Sequence, residues 1–259
     1  MGKTILVVDD DAMNLRMAEV MLKKKGYDVR KADSGQAALT LLQEEIGEAI
    51  AAEAPDVVML QECDWATYRE RAPKQNGVKF VNVLAQSTGM FGLYGKSINY
   101  KKGYYGIGLL SRYPIIRSER VLLPNKGKAE QRSILIADIE LPTGKIITVA
   151  STHLEVSSEE IRIEQVDFIN KLMKKNPYPV ILAGDMNAKP DSPEMGKLRE
   201  KWLDCTNREF TYSTVKPSIK IDYIYARPIQ DAELLETERI TRYPGLSDHF
   251  PVKSTIVLH

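Results

Sequence analysis

Five short motifs each place a polar group at the end of an apolar strand: Leu60-Gln61-Glu62, Ser151-Thr152-His153-Leu154, Gly184-Asp185-Met186-Asn187, Ile221-Asp222-Tyr223 and Ser247-Asp248-His249. Strand ends are where a rigid scaffold can converge side chains on one pocket. The motifs supply Glu62, three aspartates, the Asn187 carboxamide and two imidazoles. Carboxylates are hard oxygen donors or bases, so the set suits a divalent cation such as Mg²⁺ (or Mn²⁺) together with acid–base work on a phosphate ester. Of the chain's three histidines, two fall in these motifs and the third is His259. Each motif alone has a plainer reading. A Glu after a strand is usually solvated, an Asp-x-Asn after Gly forms turns, and a Ser-Asp-His can cap a helix. Their order and joint presence make the signal.

The elements that must hold these residues follow from the apolar patterning. From Asp56 onward the texture is many short strands: Val57–Leu60, Ile107–Leu110, Ile134–Ile139, Ile146–Ala150, Val180–Ala183, Ile221–Tyr225 and Pro251–Val257. Helical spacing intervenes at about Ser158–Lys175 and Ser192–Lys201, and Pro142-Thr143-Gly144 reads as a hairpin turn. This pattern predicts an α/β fold of two β-sheets packed face to face with outer helices. Before Asp56 the order is strand, helix, strand, helix. Ile5–Val8 is a continuous apolar run, Leu15 to Leu22 has helical spacing closed by Gly26, and Tyr27–Lys31 is a second strand,. A further helical stretch opens at Ser34-Gly35 and runs to Pro55, as one long helix or as two meeting near Glu44–Gly47.

The chain of 259 residues balances 36 Lys plus Arg against 35 Asp plus Glu, a formal net charge of +1. Nucleic-acid binding would therefore need a local basic patch, which the sequence does not place. Cys63 and Cys205 are too few for a disulfide framework and sit in no paired metal motif,. No segment approaches the ~18 apolar residues of a membrane span. Lys3, a short apolar run and Asp9-Asp10-Asp11 do not make a signal peptide, so the chain as written reads as cytoplasmic,.

These motifs, with Ala54-Pro55-Asp56-Val57-Val58-Met59-Leu60-Gln61-Glu62 and Gly106-Ile107-Gly108-Leu109-Leu110-Ser111-Arg112-Tyr113-Pro114-Ile115, resemble the endonuclease/exonuclease/phosphatase (deoxyribonuclease I-like) superfamily from about Ile46 to the C-terminus. The resemblance implies a four-layer sandwich and a Mg²⁺-dependent phosphoesterase. It implies Glu62 as a metal ligand, Asp248 as a further metal or orienting ligand, and Asp185 with Asn187 as the pair that handles the attacking water and the phosphate. It implies His249 at the phosphate or as base, Asp222 orienting a histidine, His153 as second catalytic histidine, and Arg132 as a candidate phosphate contact. Phosphodiester cleavage is the commoner use of the set, with a phosphomonoesterase as the alternative. The substrate stays open among nucleic acid, a phospholipid headgroup and an inositol phosphate. Oligomeric state is not legible.

The first fifty residues resemble something else. Ile5-Leu6-Val7-Val8-Asp9-Asp10-Asp11, Gly26-Tyr27-Asp28-Val29 and Ala32-Asp33-Ser34-Gly35-Gln36-Ala37-Ala38 are similar to the first half of a response-regulator receiver domain. Aligning Pro55–Leu60 with that domain's third strand puts Gln61 at the phosphoacceptor position, so phosphorelay is not expected. The nuclease-like family begins with a strand ending in a metal-proximal asparagine, and no such strand precedes Glu62. The receiver-like first strand is expected to replace it beside Val57–Leu60, making Asp9 and Asp10 further candidate metal ligands. The chain is thus read as residues 1–45, a receiver-like βαβα piece completing the sheet, fused to a phosphoesterase-like 46–259. The alternative is an impaired chimera serving as a binding or scaffold module.

Overall fold

The computed structural model describes residues 4–33, 35–70, 76–127 and 129–259. Ser34, proposed above to open a helix, lies outside the described residues, as do the side chains of Thr4, Leu6 and residues 35–42. The opening segment forms β1 (Thr4–Val8), α1 (Ala12–Lys24), β2 (Asp28–Ala32) and α2 (Gly35–Glu53). Asp11 caps α1 by accepting hydrogen bonds from the amides of Met13 and Asn14,. Gly26, at φ +82°, takes the left-handed turn that follows,. α2 is one unbroken helix. Gly47 lets it lie against α3 (Phe80–Thr88), because a Cβ there would come within 2.5 Å of Ser87 Oγ.

The expectation that the first strand extends the sheet beside Val57–Leu60 is not met. β1 and β2 pair in parallel with each other, and among the described residues with no other strand. Among the described strands β3 (Val57–Trp65) pairs with β5 (Gly103–Ser111) only, with an isolated bridge from Trp65 to Lys79. The chain reaches β3 only through the 19 residues of α2, which lie beside β2 where Glu45 meets Arg30 and then pack Ile46 and Ile50 with Val81 and Leu84 of α3.

The remaining elements are β4 (Phe91–Tyr100), β6 (Ile115–Leu122), β7 (Ser133–Glu140), β8 (Ile146–His153), α4 (Glu159–Met173), β9 (Val180–Asp185), α5 (Pro193–Arg199), β10 (Leu203–Asp204), β11 (Asp222–Arg227), β12 (Ala232–Arg239) and β13 (Val252–Leu258). Ser158 caps α4 and Ser192 precedes α5, near the expected starts. Gly144, at φ +77°, makes the turn predicted between β7 and β8. The strands form a six-stranded sheet in the order β10-β11-β9-β8-β7-β6, a three-stranded sheet β3-β5-β4 and a hairpin β12–β13.

Period-two alternation sorts the side chains into layers. On β7, Leu135, Ala137 and Ile139 face Ile107 and Leu109 of β5, together with Val57 and Met59 of β3. Ile134 and Ile136 point the other way, into the core closed by Val166 and Ile169 of α4 and Leu198 of α5. Beyond the smaller sheet, Val58 and Leu60 pack with Ile46, Ile50, Val81 and Leu84 of α2 and α3. The fold is therefore the expected α/β sandwich, two sheets face to face with helices outside. Cys63 and Cys205 are both free and buried. No helix among the described residues is long and apolar enough to cross a membrane.

Candidate active site

Strand register alone brings three motif residues into a row. His153 stands opposite Asp185 across the parallel β8–β9 ladder, and Asp185 stands opposite Asp222 across the antiparallel β9–β11 ladder. Gly184 is required here: a Cβ would lie 1.9 Å from the Thr152 carbonyl oxygen, so only glycine lets β9 run this close to β8. Asn187 then turns the chain at φ +48°, a conformation asparagine tolerates better than most residues. Its amide donates to Asp185 Oδ1 at 2.8 Å and its Nδ2 to the Leu154 carbonyl at 3.0 Å.

His249 reaches the row from the segment before β13. Its Nδ1 lies 3.0 and 3.2 Å from the two Asp222 carboxylate oxygens, and the Tyr212 ring tilts against it at 4.8 Å. Thr211 ties these pieces together. Its hydroxyl accepts from the amides of Ile221 and Asp222 at 3.1 and 3.2 Å, while its carbonyl accepts from Phe250 at 2.8 Å. Burial opposes charge on His249, but the hydrogen bond to Asp222 and the negative charges of Asp222, Asp185 and Asp248 raise its pKa to about 9. It is an imidazolium donating Nδ1–H to Asp222 at neutral pH.

His153 is the opposite case. Arg132 Nη1 lies 3.1 Å from its Nδ1. A guanidinium only donates, so Nδ1 is the acceptor and the ring proton sits on Nε2, 3.5 Å from Asp185 Oδ2. Burial first, then the charges of Arg132 and His249, push its pKa down to about 3. At neutral pH the contact with Asp185 is thus a neutral donor facing a carboxyl, not an ion pair. Asp185 itself rises to about 7, through burial and the neighbouring Asp222 charge, with Glu62 adding to the effect while the Asn187 amide and His249 oppose it. Arg132 is held by Glu130 at 3.2 Å. Its Nε and Glu155 Oε2 face each other at 3.9 Å, and neither has a hydrogen-bond partner.

Glu62 stands on a bulge of β3 between Leu60 and Cys63, at φ +57°. Tyr105 lies close to it, and burial first, then the Glu62 charge, raises the tyrosine's pKa. Asp248 is exposed, and its carbonyl accepts from Thr214. Asp9 is engaged locally by the Asp11 amide at 2.9 Å and Asn14 Nδ2 at 3.2 Å. Among the described residues, one group of His, Cys, Asp and Glu has donor atoms within 4.8 Å of one another: Asp185, Asp222 and His249. Asp9 and Asp10 do not join Glu62 in such a group. Outside the trio, Glu62 is a further carboxylate whose charge is felt at Asp185, so the oxygen donors open to a cation are those of Asp185, Asp222 and Glu62. Their mutual repulsion, part of what raises Asp185, is what a bound cation would relieve.

The structure thus gathers His153, Asp185, Asn187, Asp222, His249 and Arg132, with Glu62 felt electrostatically at Asp185. Sequence reading passed over Thr211 and Glu155. Nothing in their local sequence marks them, because their partners are separated from them by many residues or lie on another strand.

Residues 29–249 match the model of the endonuclease/exonuclease/phosphatase family. The uncharacterized protein YbhP of Escherichia coli (strain K12) is 29% identical over 228 residues, covering 83% of this chain and 88% of that one. A solved structure, the mannosyl-6-phosphatase Bt3783 of Bacteroides thetaiotaomicron VPI-5482, superposes with a TM-score of 0.64 at 18% identity, covering 85% of this chain and 91% of that one. A stretch of 43 residues, 17% of this chain, is 56% identical to 4% of the probable histidine kinase 4 of Oryza sativa subsp. japonica. On the extent of the family match, the chain belongs to the endonuclease/exonuclease/phosphatase family.

Proposed function

We propose that the protein is a divalent-metal-dependent phosphoesterase that cleaves a phosphodiester by in-line attack of an activated water. The observation that carries this reading is the strand-end row whose members are driven to different protonation states: His153 neutral, His249 charged and Asp185 balanced near neutrality. Environments that push neighbouring titrating groups apart assign acid and base roles. Asp185 takes the proton from water through Oδ2, while Asn187 fixes its other oxygen. His249, clamped by Asp222, offers positive charge and a proton to the phosphate oxygens. His153 presents a neutral Nε2–H donor, held in that tautomer by Arg132. Glu62 and Asp185 would hold a Mg²⁺ or Mn²⁺ ion, which when bound supplies charge neutralisation at the phosphate.

The substrate class remains a phosphate ester, with nucleic acid, phospholipid headgroup and inositol phosphate as the candidates. A phosphomonoester is the second reading, favoured by the similarity to a sugar phosphatase fold. We read residues 1–45 as receiver-like on the strength of the 43-residue match and the parallel β1–β2 pair. That piece is fused to 46–259 as one unit without a phosphoacceptor. Hydrolysis of bis-p-nitrophenyl phosphate with Mg²⁺ is expected, lost by about 10²-fold or more in His249→Ala. Faster turnover of p-nitrophenyl phosphate would favour the monoester reading, and no turnover of either ester would favour a scaffold role. Mg²⁺ affinity should fall in Glu62→Ala and stay unchanged in Asp10→Ala.

A further inference from the structure

Helix α1 has two unlike faces. The side carrying buried Leu15 and half-buried Leu22 lies against the β1–β2 pair. On the other side Met13, Met17, Val20 and Met21 recur at helical spacing and are 72%, 58%, 47% and 62% exposed. At 3.6 residues per turn these four side chains fall within about 100° of the helix circumference, so they form one stripe. Single apolar residues on a surface are ordinary, whereas a contiguous stripe marks a contact surface. Methionine is flexible and packs adaptably, which suits a face that is covered by association rather than by folding.

The charges at the two ends of the stripe indicate what covers it. Asp9, Asp10 and Asp11 precede the helix, and Lys23, Lys24 and Lys25 close it. The arrangement is symmetric about Met17: Met13 and Met21 lie four residues to either side, Asp10 and Lys24 seven. Helical spacing also puts Lys24 in line with the stripe, between Met13 and Met17 in angle. The neighbours of these two charges are already engaged. Asn14 holds Asp9, Asp11 caps the helix, and Lys23 pairs with Glu19. Asp10 and Lys24 are exposed, and among the described residues neither makes an ion pair. A second α1 laid antiparallel about Met17 sets Met13 against Met21, Met17 against itself, and each Asp10 against the second copy's Lys24. A parallel pairing would instead set aspartates on aspartates and lysines on lysines. We propose that this stripe is a two-fold self-association surface, covered by a second copy of the chain through an antiparallel α1–α1 contact. Such a contact is isologous, one patch meeting its own copy. Its area is small, so the dimer it makes is weak.

Sedimentation velocity of the full chain from about 1 to 300 μM tests this, a range suited to a small interface. The wild type is expected to move from 29.2 kDa towards twice that mass as concentration rises. Met17→Glu, at an exposed position, brings two carboxylates face to face on the two-fold axis and should leave only monomer. The decisive arm splits a charge swap between two chains. Asp10→Lys alone sets lysine against lysine at both ends of the contact, and Lys24→Asp alone sets aspartate against aspartate. Each should self-associate about tenfold more weakly than wild type. Mixed in equal amounts, the two variants pair lysine with aspartate at both ends, and association should return to within about twofold of wild type. That recovery would also show that neither variant is unfolded. A wild type that stays monomeric across the range overturns the proposal. Dimers that survive Met17→Glu overturn it by assigning association to another surface, and a mixture no stronger than its separate components overturns the antiparallel pairing. None of these readouts depends on phosphoesterase activity.

Discussion

At the scale of single residues, the site depends on groups that touch no reacting atom. Thr211 is the clearest. One hydroxyl holds the first amides of β11 and one carbonyl holds the segment carrying His249, so Asp222 and His249 keep their 3.0 Å contact through this residue. Thr211→Val keeps the shape and strips the acceptor from two amides, a loss of about 1–3 kcal/mol each where buried. The expected outcome is a fall in kcat of about tenfold to a hundredfold with KM little changed, and rescue by Thr211→Ser. Equal defects in Val and Ser variants would show that packing, not the hydroxyl, matters. Asp185, Asp222 and His249 were legible in the sequence because each borders an apolar strand, Asp185 at the end of β9, Asp222 at the start of β11 and His249 just before β13. Thr211 was not, because a threonine in a polar loop looks the same whether or not distant amides converge on it. The tautomer of His153 was equally hidden, since it follows from Arg132 arriving on a neighbouring strand.

At the scale of elements, the strands with continuous apolar runs were readable and the edge elements were not. β6 carries Arg117, Ser118, Glu119 and Arg120 through its middle, because it pairs on one side only and turns an exposed face outward. α3 and β4 lie in a stretch for which the apolar patterning predicted no element. Glu53 shows how two such elements are joined. At the end of α2 it meets Arg242, Tyr243 and Lys253, from the loop after β12 and from β13. The Arg242 hydrogen bond, with help from Tyr243 and Lys253 and against partial desolvation, holds its pKa down to about 2 from an ordinary 4.5. A depressed carboxyl stabilises the fold fully above its unfolded pKa and loses that contribution as pH falls through the folded value. Glu53→Gln should therefore cost about 1–2 kcal/mol near neutral pH. The gap between wild type and variant in urea unfolding should close as pH falls from about 4.5 towards 2. A gap that is constant across that window would contradict the assignment.

At the scale of the whole molecule, stability is unevenly distributed. The sandwich rests on three apolar layers. Among the described side chains of the opening β1–α1–β2 unit only Leu15 and Ala32 are buried, while Met13, Met17, Val20 and Met21 of α1 face solvent. A two-stranded sheet is marginal in water. Amides of β1 and β2 are expected to exchange with solvent well before those of β7 and β8 in native-state hydrogen exchange. Equal protection would show that the unit opens only with the whole protein. The sequence foretold the order of this unit correctly, yet not its separation from the main sheet, because strand pairing depends on where α2 delivers the chain.

That helix sets a further condition. α2 runs without a break from Gly35 to Glu53, through the place where the two sequence resemblances meet. On one side Glu45 reaches Arg30 of β2 at 2.8 Å, and on the other Ile46 and Ile50 enter the core with Val81 and Leu84. The helix behaves as a shaft that fixes the angular phase between the opening unit and the sandwich. One residue inserted before Glu45 would turn everything upstream by about 100° and advance it by about 1.5 Å. The length of this helix is therefore constrained as tightly as its sequence: a change of one residue presents β2 to a different side of the molecule.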